Sequence, residues 1–568
     1  MERARAAGTV TSDQIAVAVA IGFSGFKRRF RAITSRASAR FEARDWPSLH
    51  RDQLERIDGY GEAIDATIDA LEALGYETED RGSWSAARAM FRTDHLDDPW
   101  HEVAETFFNS VARKLFGTKG IDPRLEFLAP AVDAPRPDPR TAIRSYEVTA
   151  DRHGLLEDIV RDCRFHASWV DLGSDLIAAA ARLPKGDGSV EVANGVFFRG
   201  KGAYVVGRYM AGDRSVPFAL VVRHERSGLR LGAILVGEGD LAILFSYTRS
   251  AFMVACDEPA SLVAFLGQLL PTRKLSELYA SIGFRKQAKT ERYRELVSYL
   301  AHSDDVFVRA PGVPGLVMIV FTLPGHDLVF KVIRDRFPPQ KQVTPADVAE
   351  RYRVVSRHDR AGRLVEAQRF VDLRLPVGTF DPDLLEELTM HASRTVTVDG
   401  GDVTISTVYV ERKVIPLDIY IREAGAAEAT RAIIDYGDAI KNLAASNIFP
   451  GDMLLKNFGV TSRGRVVFYD YDEIGMLTDY RFRAFPESDD PLDEMSETPS
   501  FGVGPNDVFP EELVRFLGLS PELRTSFDAQ HRDLFDPEFW TSVQGRLEAG
   551  ETIEILPYRR SRALDASS

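Results

Sequence analysis

The spacing of two aspartates and one asparagine constrains this fold more than any other feature of the chain. Asn457 follows Asp452 by five positions, and Asp470 follows Asn457 by thirteen, directly after an apolar run at 465–469. In phosphotransfer sites with this spacing, the first aspartate orients the attacking hydroxyl and the asparagine binds one metal. The second aspartate binds the metal that bridges the nucleotide phosphates. The spacing therefore predicts a catalytic lobe like that of protein kinases.

The elements predicted after residue 304 follow the order of a kinase. Three strands and two helices are predicted at 306–310, 316–323, 328–333, 345–358 and 382–393. Two further strands, a long helix and a last strand are predicted at 403–410, 415–421, 424–447 and 466–469. This order predicts a two-lobed protein-kinase-like domain over residues 305–568.

Residues 1–304 have a different pattern. Apolar residues recur at helical spacing at 15–33, 52–74, 100–116, 155–183, 262–270 and 290–300. Short β-branched or aromatic runs predict strands at 190–198, 203–209, 216–222 and 229–235. The predicted class is α+β: a mostly helical N-terminal domain with a small antiparallel sheet, followed by the two-lobed domain.

Composition argues against several classes of protein. Hydrophobic residues make up 44% of the 568 residues and charged residues 27%, which is typical of a soluble globular protein. The net charge of −14 disfavours a general nucleic-acid binder. No apolar run approaches the ~18–20 residues that cross a bilayer. The two cysteines, Cys163 and Cys256, lack zinc-site spacing, and so few cysteines indicate a cytoplasmic protein.

Two features upstream of Asp452 predict where the nucleotide lies. The loop 310–316 contains glycines that would let backbone N–H groups approach phosphates, although such strings also form plain hairpin turns. Its residues are Ala310, Pro311, Gly312, Val313, Pro314, Gly315 and Leu316. Lys331 lies in the apolar run 328–333, where it either grips the α- and β-phosphates or points to solvent from an edge strand. Its acidic partner stays open between Glu350 and Glu366.

Other functions remain possible at this point. Asp470-Tyr471-Asp472 also resembles the start of a haloacid-dehalogenase-type phosphatase, in which Asp470 would be a nucleophile. Ile474 stands where that pattern has Thr or Val, and only 98 residues follow Asp470. A nucleotide-sensing pseudokinase that binds its partner without chemistry is a second alternative, and a small-molecule kinase is a third. The presence of Asp452, Asn457 and Asp470 together favours an enzyme.

Longer sequence segments, spread over nearly the whole chain, resemble those of a known family. They lie at 241–245, 250–254, 288–295, 310–316, 320–325, 330–333, 358–360, 447–454 and 466–473. The string Asn447-Ile448-Phe449-Pro450-Gly451-Asp452 is specific, because ordinary kinases have His-Arg before this aspartate. On these strings the chain resembles the bifunctional isocitrate dehydrogenase kinase/phosphatase family.

The resemblance implies an enzyme with two opposed activities. It would phosphorylate a serine of isocitrate dehydrogenase with ATP and Mg²⁺ or Mn²⁺, which inactivates the dehydrogenase and diverts isocitrate from the tricarboxylic acid cycle to the glyoxylate bypass. The same site would remove the phosphate with ADP bound. AMP would bind between the two domains as an allosteric effector and favour the phosphatase. The implied partner is isocitrate dehydrogenase, with no nucleic acid and no membrane.

The resemblance also assigns residues. Loop 310–316 and Lys331 would bind ATP, Asp452 would orient the hydroxyl, and Asn457 and Asp470 would bind metal. Two further assignments come from the resemblance. Segment 409–414, which contains Glu411, would be the hinge that holds adenine by backbone hydrogen bonds. The phosphatase-linked aspartate of the family falls on Glu366, whose longer side chain moves the carboxylate by one methylene. Segment 476–510 follows the metal-binding aspartate, where kinases have their activation segment, and this position predicts that it recognises the substrate.

Overall fold

The computed structural model describes residues 10–131, 133–148, 151–246, 251–312, 314–339, 341, 343–360, 362–485, 502–558 and 562–564. The predicted α+β class is confirmed: a helix-rich N-terminal part with a seven-stranded sheet precedes a two-lobed part with a six-stranded sheet. Among the described residues, no helix is both long and apolar enough to cross a membrane.

Four helices begin the chain: α1 (Ser12–Glu42), α2 (Trp46–Ala73), α3 (Arg81–His95) and α4 (His101–Phe116). Thr11 and Gln14 form a capping box that fixes the start of α1. One face of α1 is buried through Ile15, Val19, Phe23, Phe26 and Phe30. The predicted amphipathic helix is therefore confirmed.

The N-terminal sheet is larger than the sequence indicated. Its strands are β1 (Ile143–Val148), β2 (Gly188–Ala193), β3 (Phe197–Arg199), β4 (Gly202–Ala211), β5 (Arg214–His224), β6 (Leu229–Val236) and β7 (Met253–Val254). The order is β1-β2-β4-β3-β7, with β5 between β4 and β6. The single strand predicted at 190–198 is two strands, because the chain turns at Asn194-Gly195 between β2 and β3.

Six more helices complete this part: α5 (Arg152–Asp162), α6 (Leu172–Arg182), α7 (Glu238–Leu244), α8 (Pro259–Leu269), α9 (Leu275–Ser281) and α10 (Arg285–His302). The one helix predicted at 155–183 is wrong, since α5 and α6 are separate. The backbone between them turns through positive φ angles at Arg164 (55°) and Asp171 (52°).

The upper lobe of the two-lobed part is an antiparallel sheet with two helices. Its elements are β8 (Val308–Arg309), β9 (Met318–Thr322), β10 (Leu328–Ile333), α11 (Pro345–His358), β11 (Gln368–Pro376), α12 (Pro382–His391), β12 (Val396–Asp399) and β13 (Asp402–Arg412). The strand order is β11-β13-β10-β9-β8, with β12 paired to β13. The sequence did not predict β11 or β12. Thr344 and Asp347 form the capping box that starts α11.

The lower lobe is mainly helical. Its elements are β14 (Ile415–Pro416), α13 (Leu417–Glu423), α14 (Ala426–Ala445), β15 (Ile448–Phe449), β16 (Phe458–Val460), β17 (Val466–Phe468), β18 (Gly475–Met476), β19 (Arg481–Phe482), β20 (Asp507–Val508), α15 (Leu513–Phe516), α16 (Pro521–His531) and α17 (Pro537–Glu548). The strand predicted at 415–421 is wrong, because Pro416 occupies the N-cap position of α13 and the chain becomes helical there.

Ion pairs join the N-terminal part to the two lobes. Arg357 at the end of α11 binds both carboxylate oxygens of Asp58 at 3.0 and 2.7 Å. Arg463 of the lower lobe lies 3.0 Å from Glu238. Near the C-terminus, the Leu564 N–H donates to the carbonyl of Gly232 at 2.9 Å. The end of the chain thus returns to the N-terminal sheet.

Replacing Asp435 by Asn should destabilise the lower lobe strongly. Asp435 binds the buried Arg363 through two contacts of 2.8 and 2.7 Å. Loss of its charge would remove the carboxylate that makes both contacts with this buried guanidinium, at a cost of about 3–5 kcal/mol in the free energy of unfolding. Denaturant unfolding of the full chain measures this. Glu551→Gln, which breaks an exposed pair with Arg546, should cost under about 1 kcal/mol.

The contribution of the Asp435–Arg363 pair to the free energy of unfolding should decrease at acidic pH. Burial opposes ionisation of Asp435, but Arg363 outweighs burial and lowers the pKa of the carboxyl from 3.8 to about 2. The contribution should be fully present above pH 3.8 and decline as the pH falls towards 2. Equal loss of stability in the wild type and Asp435→Asn across this range would contradict the assignment.

Candidate active site

Lys331 lies on β10 at the centre of the upper-lobe sheet. Its Nζ is 2.8 Å from Glu411 Oε2 on β13 and 2.8 Å from the carbonyl oxygen of Tyr469 in the lower lobe. Only 7% of Lys331 is exposed, so these two partners offset the cost of burying the ammonium group. Because β10 pairs with strands on both sides, the edge-strand alternative is excluded.

The acidic partner of Lys331 is Glu411, and both candidates from the sequence were wrong. The register sets Lys331 opposite Tyr409, which places Glu411 diagonally on the same face of the sheet. Glu350 is instead exposed and lies 2.5 Å from Arg353. Glu366 faces Arg292. Sequence spacing could not reveal this pairing, because Lys331 and Glu411 are 80 positions apart and spacing does not fix the register between their strands.

The loop between β15 and β16 carries Asp452 and Asn457. The Asn457 side-chain amide donates to the Asp452 carbonyl at 3.2 Å, and Asp452 Oδ1 accepts the Leu454 N–H at 3.1 Å. Gly451 has a φ of 77°, and a Cβ there would lie 2.4 Å from the Glu473 carbonyl oxygen. Glycine therefore lets this loop pack directly against the segment that follows β17.

Asp470 and Asp472 lie in that segment, two residues apart. Burial raises the pKa of Asp470, and the charge of Asp452 raises it further, while Lys331 opposes both effects. Burial and the charge of Asp470 raise the pKa of Asp472 to about 7. Lys331, Asp452 and Asp470 are thus close enough to interact electrostatically, and the Tyr469 N–H donates to the Asn457 carbonyl at 3.2 Å. The structure brings these predicted residues together.

A second lysine reaches the same acidic segment. Lys341 Nζ lies 2.6 Å from Glu473 Oε1. Burial lowers the pKa of Lys341, but the hydrogen bond to Glu473 and the charges of Asp472 and Asp470 outweigh burial and raise it. Sequence analysis missed both Asp472 and Lys341. Asp472 could have been included because it is a carboxylate only two positions after Asp470. Lys341 lies outside the helices and strands, where no sequence pattern points to it.

The donor set suits a hard divalent cation that also binds phosphate. The carboxylate of Asp470 and the amide oxygen of Asn457 are oxygen ligands of the type that Mg²⁺ prefers. Within the described ranges, no group of three or more His, Cys, Asp or Glu side chains is arranged to hold a metal ion. The carboxylate of Asp470 and the amide oxygen of Asn457 fit Mg²⁺, which proteins usually hold by one or two carboxylates together with substrate phosphates.

The predicted ATP loop connects β8 to β9. The Ala310 N–H donates to the Val320 carbonyl at 2.9 Å, which closes the hairpin. Gly312 has a φ of 118°, and a Cβ on Gly315 would lie 2.7 Å from the Met318 carbonyl oxygen. These two positions therefore favour glycine. Val313 lies outside the described residues, and Pro311, Pro314 and Leu316 are exposed in the loop.

The predicted hinge at 409–414 links the lobes and also contacts the N-terminal part. Arg412 Nη1 lies 2.5 Å from Glu277 Oε1 of α9. The Lys413 N–H donates to the Asp327 carbonyl at 2.8 Å. The side chain of Glu411, predicted as part of an adenine-binding hinge, faces Lys331. Of the predicted recognition segment 476–510, residues 486–501 lie outside the described residues.

Glu366 lies on a segment that runs beside β17. The Val365 N–H donates to the Phe468 carbonyl at 3.0 Å, so the backbone of this segment is attached to the strand that leads to Asp470. The Glu366 carboxylate lies 3.5 Å from Arg292 Nη2 of α10, and both side chains are buried. Its side chain lines a neighbouring cavity.

This cavity, of about 760 Å³, lies between α10 and the upper lobe, and we refer to it as the basic cavity. Its basic lining residues are Arg285, Lys286, Lys289, Arg334, Arg353, Arg369 and Arg394. Burial and the neighbouring cations lower the pKa of Lys286, and they hold that of Lys289 well below its usual value. Tyr352 and Tyr409 line the cavity with apolar ring surface. Its chemistry suits an anionic, partly aromatic ligand.

Comparison with known proteins identifies the family. Two family models cover the chain: the regulatory domain of isocitrate dehydrogenase kinase/phosphatase (AceK) matches residues 16–304, and its kinase domain matches residues 305–560. Isocitrate dehydrogenase kinase/phosphatase of Anaeromyxobacter sp. (strain Fw109-5) is 43% identical over 559 residues, and that of Anaeromyxobacter dehalogenans (strain 2CP-C) is 44% identical over 570 residues. Each alignment covers 97% of both chains. The chain therefore belongs to the isocitrate dehydrogenase kinase/phosphatase family.

Proposed function

We propose that this protein phosphorylates a serine of isocitrate dehydrogenase and removes the phosphate again at the same nucleotide site. The observation that carries the proposal is the convergence of Lys331, Asp452, Asn457 and Asp470 in a member of this family. The regulated step would divide isocitrate between the tricarboxylic acid cycle and the glyoxylate bypass. A place in the cytoplasm, without membrane or nucleic-acid partners, accords with the composition.

In the kinase direction, each residue has a separate task. Lys331, held by Glu411, would contact the α- and β-phosphates of ATP beneath the loop 310–316, with adenine against the hinge at 409–414. Asp452 would accept the proton of the serine hydroxyl. Asn457 and Asp470 would hold Mg²⁺ or Mn²⁺, which when bound offsets the charge of the transferred phosphoryl group.

In the phosphatase direction, Glu366 would position the attacking water. Phosphoserine would occupy the cleft with ADP in place, and Asp452 would return a proton to the departing serine oxygen. Glu366 is buried, and its carboxylate lies 3.5 Å from Arg292 Nη2.

AMP fits the basic cavity. A nucleoside monophosphate carries a doubly charged phosphate and an aromatic base, and the cavity offers Lys286 and Lys289 together with the rings of Tyr352 and Tyr409. The cavity lies between α10, which precedes residue 304, and the upper lobe, which follows residue 305. We place the domain boundary between these residues, so AMP would bind between a regulatory domain (1–304) and a catalytic domain (305–568).

Asp452→Asn should abolish phosphate transfer while leaving the fold intact. Loss of the general base should slow incorporation of γ-labelled phosphate into isocitrate dehydrogenase by about 10²–10⁴-fold. Asp383→Asn, at an exposed aspartate of the upper lobe, should leave transfer unchanged. If the wild type binds nucleotide and dehydrogenase but transfers no label, the pseudokinase alternative is correct.

Glu366→Gln should separate the two activities. Release of phosphate from labelled isocitrate dehydrogenase should fall about 10²–10⁴-fold, because a neutral amide cannot accept the proton of the attacking water. Phosphorylation should fall much less. Glu366→Asp, which restores the shorter acid of the family, should retain phosphatase activity. Unchanged phosphate release in Glu366→Gln would remove Glu366 from the mechanism.

Lys289→Met should weaken AMP binding about tenfold or more, since one lysine of the cavity lining that would face the phosphate is lost. A bound phosphate favours the charged form of Lys289 and raises its low pKa, so wild-type affinity should increase as the pH falls from the alkaline side. Titration calorimetry at several pH values checks both effects. An affinity in Lys289→Met equal to that of the wild type would place AMP elsewhere.

A further inference from the structure

A second, much smaller cavity lies where α2 and α10 meet the end of α11. Its volume is about 30 Å³, and its charged lining residues come from both sides of the interface. Arg56 and Arg285 belong to the N-terminal part, and Arg357 and Asp359 belong to the upper lobe. We call it the seam cavity. It has no role in the phosphotransfer mechanism described above.

Arg56 is the unusual residue of this cavity. It is 6% exposed, its Nη2 donates to the Phe252 carbonyl at 3.0 Å, and its guanidinium lies 5.0 Å from the centre of the Phe30 ring. The guanidinium packs on Gly283, where a Cβ would lie 2.4 Å from Nη2. Nη1 is buried and has no hydrogen-bond partner among the described residues. Burying a cation and leaving one of its N–H donors without an acceptor both lower the free energy of unfolding.

The neighbouring charges make this cost larger. Burial and repulsion from Arg285 lower the pKa of Arg56 to about 9. Asp58 is engaged by Arg357, and Asp359 accepts the N–H of Gly362 at 2.6 Å. Among the described residues that line the seam cavity, three are arginines and one, Asp359, is a carboxylate, so this lining carries an excess of positive charge.

We propose that the seam cavity binds one chloride ion against Nη1 of Arg56. A volume of about 30 Å³ has room for one or two particles the size of a water molecule, which excludes phosphate and nucleotides. A single halide would supply the missing acceptor and offset the excess charge. Because the lining arginines come from both domains, the ion would connect α2 and α10 to the end of α11. The proposal does not depend on the proposed function.

Crystallography with bromide tests the site directly. Crystals of the full-length protein soaked in sodium bromide should show an anomalous difference peak at hydrogen-bond distance from Arg56 Nη1. A seam cavity without a bromide peak at saturating bromide would overturn the proposal. This measurement uses the wild type, so it remains decisive if variants of Arg56 do not fold.

Thermal unfolding tests binding in solution. At constant ionic strength, replacing sodium gluconate by sodium chloride should raise the melting temperature of the wild type by about 1–2 °C in a saturable manner. Arg56→Met should lose this shift. Arg88→Met should keep it, because Arg88 is also partly buried and lies over a phenylalanine ring but does not line the cavity. An equal shift in Arg56→Met, or a bromide peak with no halide-specific shift, would indicate an adventitious ion and overturn the proposal.

Discussion

The contact of Lys331 with Glu411 and the Tyr469 carbonyl is the interaction on which the rest of the site depends. It connects three chain segments: two neighbouring strands of the upper lobe and the end of β17 in the lower lobe. A buried ammonium group needs such partners, and its two 2.8 Å contacts fix the distance between the lobes at this point. The acidic residues that follow Tyr469 are thereby held where a phosphate bound to Lys331 would reach them.

Two ion pairs connect the N-terminal part to chain segments that carry candidate site residues. Glu277 binds Arg412, at the end of the strand that carries Glu411. Arg292 binds Glu366, whose segment is hydrogen-bonded to β17. The side chain of Glu366 also lines the basic cavity. A ligand in that cavity would therefore contact a segment that leads through a backbone hydrogen bond to the strand before Asp470. This is a physical route between the proposed effector cavity and the proposed metal site.

Much of the fold could be predicted because it depends on local patterns. The first and last residues of β10 and α11 are those that were predicted. Both predictions relied on local signals, a mostly apolar run of six residues for β10 and a Thr-Pro-x-Asp start for α11. The strand predicted at 415–421 was wrong because Pro416 starts a helix whose apolar residues are too few to set a period. Strands β11 and β12 were missed because edge strands pack on one neighbour and need less apolar sequence.

The residues of the candidate site likewise differ in whether a local pattern could predict them. Asp452, Asn457 and Asp470 could be predicted because short loops fix their spacing within one lobe. The partner of Lys331 could not, because strand register is a tertiary property, and neither could Lys341, which reaches Glu473 from an irregular loop. The phosphatase role of Glu366 was predicted only through the family resemblance. Its position beside the basic cavity depends on the packing of α10 against the upper lobe, which no local pattern encodes.

The central claim is that one metal–nucleotide site performs both reactions. Asp470→Asn tests it most directly, because the substitution keeps the side-chain size while removing the charge that would hold the metal. Phosphorylation of isocitrate dehydrogenase and dephosphorylation of the phosphorylated enzyme should be measured on the same preparation. The account predicts that both rates fall together, by about 100-fold or more. A variant that loses one activity and keeps the other at the wild-type rate would contradict it.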